Sequence, residues 1–221
     1  MENRKNRTIY GRRQSRPLRD SQKNLWEKLF NDVKIDLQNL PASYPENIIF
    51  EIGFGGGENL AHQAVNNTDY TCIGCEPFIN GVSSLLTKIA KDNITNIKIF
   101  DDDATILLKL MPDQLIKKMF ILFPDPWPKK RHNRRRVVSL ENLLLIRQKM
   151  QIAGELIIAT DHPGYLEWII AIVEQPIFLK NFKVVHTPDL PRPSEEEIPV
   201  TRYEKKALEN RPGAFFKFCA I

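Results

Sequence analysis

Asp125 stands in Phe123-Pro124-Asp125-Pro126-Trp127-Pro128, and the next eight residues, Lys129-Lys130-Arg131-His132-Asn133-Arg134-Arg135-Arg136, carry six Lys or Arg side chains. A carboxylate wedged among prolines and a tryptophan needs a reason to sit there, and so does a dense cationic run. Together they place a polar group beside a surface for a polyanion. The plainer alternative is a proline-rigidified loop with a capping acid, followed by a solvated basic loop; the adjacent cationic run weighs against it. Nothing in the stretch is a nucleophile or a metal cluster, so the chemistry must come from elsewhere in the chain.

That elsewhere is Glu51-Ile52-Gly53-Phe54-Gly55-Gly56-Gly57, a glycine turn after an apolar run. Glycines there let the backbone approach a ligand closely. A dinucleotide fingerprint requires glycine three residues after Gly55, where Glu58 stands. A carboxylate at a helix start repels a pyrophosphate. The acid-x-Gly-x-Gly-x-Gly pattern suits a nucleoside cofactor without phosphates, and S-adenosylmethionine is the leading candidate. Glu76, at the end of the next strand, is placed to reach ribose hydroxyls. Glu51 is placed to meet the cofactor's ammonium group, and Asp103 to accept from the adenine amine. Each acid also has a plain reading as a solvated strand end, and the glycine turn alone is weak evidence.

Two substrates fit Asp125. Methyltransferases acting on exocyclic amines carry an Asp-Pro-Pro-aromatic motif, to which Asp125-Pro126-Trp127-Pro128 is close but scrambled. A ring nitrogen such as guanine N7 has a lone pair and no proton, so methyl transfer there needs alignment and no general base. Asp125 then accepts from guanine N1–H and N2–H and orients the base. Thr201 with Glu204 reads first as a capping box; Arg202 has no such role and is free for a base or phosphate. The four histidines lack metal spacing, and no metal is expected.

The elements that must position these residues alternate. A helix capped by Ser21 is followed by strands at 47–53, 70–75, 97–100, 119–123 and 155–160, with helices at 58–65, 80–91, 104–111, 140–150 and 164–173 between and after them. Strands near 184–185 and at 215–221 complete the pattern. Strand–helix alternation of this kind predicts a doubly wound α/β sheet, mostly parallel, in a single domain over residues 21–221. Residues 1–20 are polar and arginine-rich and read as a flexible basic arm. The segment 188–199 reads as a surface loop.

The chain of 221 residues suits one α/β domain with appendages. No run is long and apolar enough for a membrane span, and the N-terminus lacks the apolar core of a secretory signal, so cytoplasm is the expected location. Cys72 and Cys75 form a lone C-x-x-C inside a strand-like run, which reads as core thiols. The net charge of +5 is modest, but eight Lys or Arg fall within residues 1–23. Two separate basic segments point to nucleic acid.

These residues resemble the bacterial tRNA (guanine-N7-)-methyltransferases. The matching stretches are Tyr10-Gly11-Arg12-Arg13, Glu51-Ile52-Gly53-Phe54-Gly55, Gly74-Cys75-Glu76-Pro77, Asp103-Ala104, Pro124-Asp125-Pro126-Trp127-Pro128-Lys129-Lys130-Arg131-His132, Ala159-Thr160-Asp161 and Thr201-Arg202-Tyr203-Glu204. They follow the family's order over nearly the whole chain. The resemblance implies a class I methyltransferase (Rossmann-like) fold with an antiparallel last strand. It implies methylation of tRNA at N7 of the variable-loop guanine (position 46) from S-adenosylmethionine. Carried over by position, Glu51, Gly53, Gly55, Glu76, Asp103 and Asp125 are cofactor contacts, with Asp125 the catalytic acid. Lys129, Asp161, Thr201, Arg202, Tyr203 and Glu204 are substrate contacts, and Arg131, His132, Asn133, Arg134, Arg135 and Arg136 contact RNA. A monomer or weak homodimer is expected. Methylation of an exocyclic amine, a small-molecule methyltransferase and a non-catalytic RNA-binding module on the same fold are the alternatives.

Overall fold

The computed structural model describes residues 10–40, 44–208 and 213–221. Its strands are β1 (Ile48–Ile52), β2 (Thr71–Cys75), β3 (Ile97–Phe100), β4 (Ile116–Leu122), β5 (Met150–Thr160), β6 (Phe182–His186) and β7 (Ala214–Ala220). Its helices are α1 (Asp20–Val33), α2 (Glu58–Asn66), α3 (Ile79–Asp92), α4 (Ala104–Leu110), α5 (Leu140–Lys149), α6 (Pro163–Val173), α7 (Pro176–Leu179) and α8 (Arg202–Leu208). The strands form one sheet in the order β3-β2-β1-β4-β5-β7-β6. β1 to β5 pair in parallel. β7 is antiparallel to both β5 and β6, so it alone runs against the rest. This is the doubly wound, mostly parallel sheet expected from the sequence.

Every residue of β1 is buried, as a strand covered on both faces requires. Alternation sends Ile48, Phe50 and Ile52 to one core with Leu107, Leu143 and Ile169, and Ile49 to the other with Phe30, Leu60 and Leu85. α4, α5 and α6 thus cover one face and α1, α2 and α3 the other. Cys72 and Cys75 fall in opposite cores. They cannot pair, and burial pushes the Cys72 thiol up to about 12.

Four expectations change. Arg19, not Ser21, stands at the N-cap of α1; its backbone N–H donates to Gln22 Oε1 at 3.1 Å. β4 and β5 begin earlier than expected, at Ile116 and Met150, which pair with each other; Lys118 joins β4 because it faces Glu155 across the strands and pairs with it at 3.3 Å. The Lys118 charge, outside the strand expected from the sequence, is half of a cross-strand pair here. The segment 188–199 is packed as well as surface-lying: Ile198 is fully buried, and Arg192 reaches Glu204. Residues 10–16, expected as part of a flexible arm, are tied to the domain. Arg13 pairs with Asp101 and Asp102 at 3.5 and 3.7 Å, Ile79 donates to the Arg13 carbonyl, and Asn80 bonds the backbone of Ser15 and Arg16. Residues 1–9 of that arm lie outside the described residues.

Candidate active site

The strand order turns back at β1 and β4, which lie side by side at the centre. Ligands of such sheets bind at the carboxyl ends of the strands at this switch. A cleft of about 410 Å³ opens there. Ile52, Gly53 and Gly55 line it after β1, Cys75, Glu76 and Phe78 after β2, Asp102 and Asp103 after β3, and Phe123, Asp125 and Trp127 after β4.

The glycine turn is built by close approach. Gly55 has φ +53°, and a Cβ there would come within 2.7 Å of the Tyr203 ring. Its N–H donates to Glu76 Oε2 at 2.8 Å, and Phe78 N–H donates to Oε1 at 2.9 Å. These two bonds fix the Glu76 carboxylate and leave it further acceptor positions. Burial raises its protonation range, the two N–H groups oppose this, and the charge of Asp125 adds to the rise. Gly81 completes the packing: a Cβ there would meet the Gly55 carbonyl at 2.3 Å, so α3 starts hard against the turn.

Glu51 does not line the cleft. Alternation along β1 turns it towards α2, where it is 3% exposed and accepts from Asn59 Nδ2 at 3.1 Å. Burial pushes its carboxyl up to about 8, and the charges of Glu58 and Glu76 add to this. Asp103 does line the cleft. It caps α4 through Oδ1, which accepts from the N–H and hydroxyl of Thr105, both at 2.9 Å. Its other oxygen accepts no hydrogen bond among the described residues.

Asp125 sits on a strained turn. Phe123 and Trp127, both bulky, take left-handed backbone with φ 50° and 43°. Each such residue costs on the order of 1–3 kcal/mol and persists only where its surroundings hold it. Phe123 is held by its N–H bond to the Ala159 carbonyl at 2.8 Å and by the Phe215 ring edge. Trp127 meets Tyr10 and His132 edge-on. Asp125 itself is open to solvent, yet enough protein surrounds it to raise its carboxyl above the usual range.

The basic run splits into two faces. Residues Lys130–Arg135 form a 3-10 helix, in which side chains three apart line up. Arg131 and Arg134 point outward, exposed with Lys129 and Lys130. His132 and Arg135 point inward. The Arg135 guanidinium lies 4.6 Å from the Tyr10 ring centroid and 4.9 Å from that of Trp127, and it lines the cleft. Burial and the surrounding cations hold the His132 imidazole below its usual range. Asn133 is half-buried. Arg136, expected to contact RNA, is instead buried: it donates from Nε to the Pro126 carbonyl at 2.9 Å and lies over the rings of Tyr165 and Trp168.

Thr201 caps α8 by accepting from the Glu204 N–H at 3.1 Å. The second half of the expected capping box does not form. Glu204 is fully buried and its carboxylate takes Arg192 Nε and Nη2 at 2.5 and 2.9 Å, so it anchors α8 and presents no face to a substrate. Tyr203 lies across Gly55 and lines the cleft; burial and the charges of Glu76 and Asp125 raise its phenol.

The structure therefore gathers Gly53, Gly55, Glu76, Asp103, Asp125 and Tyr203 around one cleft. Lys129 and Asp161 are exposed outside its lining, and Arg202 lines a neighbouring groove. Sequence reasoning missed the walls formed by Tyr10 and Phe78. The aromatics interleaved with cations at Tyr10, Trp127 and Arg135 were the available signal. Among the described residues, no group of three or more His, Cys, Asp or Glu is arranged to hold a metal.

Residues 45–216 match the family model described as "Putative methyltransferase". The chain is 42% identical over 177 residues to the tRNA (guanine-N(7)-)-methyltransferase of Wolbachia pipientis wMel, covering 80% of this chain and 76% of that protein. It is 40% identical over 208 residues to the same enzyme of Zymomonas mobilis subsp. mobilis, covering 92% and 89%. Its fold is similar to a solved variant of the 16S rRNA (adenine(1408)-N(1))-methyltransferase of Catenulisporales acidiphilia with cosubstrate SAM. That likeness has a TM-score of 0.56 at 14% identity, covers 80% of this chain and 86% of that one, and bears on the fold alone.

Proposed function

The chain belongs to the tRNA (guanine-N(7)-)-methyltransferase family, and from that membership we propose that its cleft brings a methyl group to N7 of the variable-loop guanine (position 46) of tRNA. It is an S-adenosylmethionine-dependent enzyme acting on tRNA guanine N7. The observation that carries the assignment to this cleft is the meeting of Glu76 and Asp125 in one cavity, with exposed cations next along the chain.

The residues present fit the cofactor. A cavity of about 410 Å³ lies within the usual range for small ligands. The glycine turn leaves the backbone bare, and Glu58 at the helix start disfavours a phosphate-bearing ligand. S-adenosylmethionine supplies a methyl group on a positively charged sulfonium. Glu76, oriented by Gly55 and Phe78, accepts from the ribose hydroxyls. Asp103 accepts from the adenine amine through its free oxygen. Glu51, beneath the turn and protonated near neutral pH by its burial, meets the ammonium of the amino-acid end by giving up that proton.

Guanine N7 has no proton to give up, so Asp125 is not asked to be a base. Its carboxylate accepts from guanine N1–H and N2–H and holds the ring so that N7 faces the methyl group. The prolines and the strained Phe123 and Trp127 keep that carboxylate where β4 delivers it. Lys129, Arg131 and Arg134 bind the RNA backbone around the base, and Asp161, Arg202 and Tyr203 border the substrate; Thr201, buried and occupied as the α8 cap, acts only by holding that helix. No helix among the described residues is long and apolar enough to cross a membrane. A cytoplasmic monomer or weak homodimer belongs to the same proposal.

The test is incubation with labelled S-adenosylmethionine and unmodified tRNA, followed by nucleoside analysis. Label in 7-methylguanosine is the expected result. Label in a methylated exocyclic amine would overturn the N7 reading, and turnover that ignores tRNA would overturn the substrate.

A further inference from the structure

A second groove, of about 650 Å³, opens on the other side of Tyr203 and shares Gly55, Phe78 and Tyr203 with the first cleft. Its walls come from three parts of the chain: the arm with Arg16 and Arg19, one face of α3 with Ser84, Lys88 and Lys91, and α8 with Arg202. Positions 80, 84, 88 and 91 recur at helical spacing, so α3 presents a single polar stripe to this groove.

The charge is one-sided. Five cations line the groove and no Asp or Glu does. Lys88 is partly neutralised, at 3.7 Å from Glu58 and 3.3 Å from the Ser84 hydroxyl. Among the described residues, Arg16, Arg19, Lys91 and Arg202 have no ion-pair partner. Leaving four like charges together without acids carries a repulsive cost that a bound polyanion relieves. The arm is also tied down here: the backbone of Ser15 and Arg16 is bonded to Asn80, which keeps the chain carrying Arg16 along the groove.

We propose that this groove is a second binding track for the phosphate backbone of the RNA substrate, separate from the run at Lys129 to Arg134. It rests on the tRNA reading above. The two tracks flank the methyl-transfer cleft, one beyond Trp127 and Arg135, the other beyond Tyr203. An RNA strand held on both sides presents one splayed base at Asp125. Sequence-independent phosphate contacts suit this task, because they fix register while the cleft reads the base.

The test uses the full chain carrying Arg16→Gln, Arg19→Gln and Lys91→Gln together. The KM for tRNA should rise by about tenfold or more, and the salt slope of tRNA binding should become shallower by roughly two to three. The dissociation constant for S-adenosylmethionine should stay at the wild-type value. Lys91→Glu alone, on the exposed side of α3, should weaken tRNA binding in the same direction, and its unchanged melting temperature guards against a folding artefact. Wild-type KM and slope in the triple variant would overturn the proposal, as would weaker binding with an unchanged slope. Saturable binding of inorganic phosphate to the wild type, lost in the triple variant while tRNA binding is kept, would also overturn it in favour of a free-anion site. A wild-type protein that binds tRNA without methylating it would instead count against the functional reading, so the two failures are separable.

Discussion

Arg136 donates from Nε to the carbonyl oxygen of Pro126 at 2.9 Å, so the last cation of the basic run holds the turn that presents Asp125. The guanidinium is buried and also lies 5.0 Å from the ring centroids of both Tyr165 and Trp168. The acid and the cationic run are thus joined covalently in sequence and again through space.

Replacing Arg136 with Gln should therefore act on stability first. It removes a charge-assisted bond to Pro126 and two cation–aromatic interactions, a penalty of about 2–3 kcal/mol. Thermal melting should show this destabilisation, while the salt slope of tRNA binding stays at its wild-type value.

Arg131→Ala with Arg134→Ala should do the opposite. Both side chains are exposed on the outward face of the 3-10 helix. Melting should barely change, and the salt slope of tRNA binding should fall by roughly one for each phosphate no longer neutralised. Filter binding across a salt series separates this pair from Arg136.

Much of this was legible in the sequence. Buried strands such as Ile48–Ile52, interrupted only by Glu51, stand out as short apolar runs before glycines or acids, and these define the sheet. Glu76 and Asp125 follow from counting along to strand ends. Side-chain direction was not legible. Six cations in eight residues read as one surface, because nothing in the letters says that a 3-10 helix will turn Arg135 onto Trp127 and Arg136 onto Pro126. Glu204 reads as half of a capping box because its partner Arg192 lies in a proline-rich segment that reads as solvated loop. Tyr203 over Gly55 brings together chain segments far apart in sequence, which no spacing rule reaches.

Glu51 carries a pH prediction. Burial raises its carboxyl from 4.5 to about 8, so between those values the folded protein holds a proton that the unfolded chain does not. The contribution of Glu51 to stability is full below pH 4.5 and is lost as pH rises through about 8. Glu51→Gln should flatten the melting-temperature profile across that window and should melt above wild type at pH 8.5. If Glu51 serves the cofactor's ammonium group, binding of S-adenosylmethionine near pH 7 must release its proton. Calorimetry in two buffers of different ionisation enthalpy should detect that release in the wild type and not in Glu51→Gln.

Asp125→Asn should show how far turnover depends on an ionised carboxylate at the guanine edge. The amide keeps one acceptor but turns a donor towards the guanine edge. Turnover should fall by about a hundredfold or more. Because the orienting role needs the ionised carboxylate, and burial raises that carboxyl, the acid limb of the wild-type kcat profile should disappear in Asp125→Asn. An acid limb that survives unchanged in Asp125→Asn would show that another group carries it and would contradict the orienting role.

The sharpest measurement of where the methyl group goes is borohydride–aniline cleavage of unmodified tRNA after incubation with the protein and S-adenosylmethionine, since this chemistry cuts the chain at 7-methylguanosine. Methyl transfer at Asp125 to the variable-loop guanine predicts a single cut there, absent when Asp125→Ala replaces the wild type. An uncut tRNA that has nevertheless taken up methyl label would contradict it.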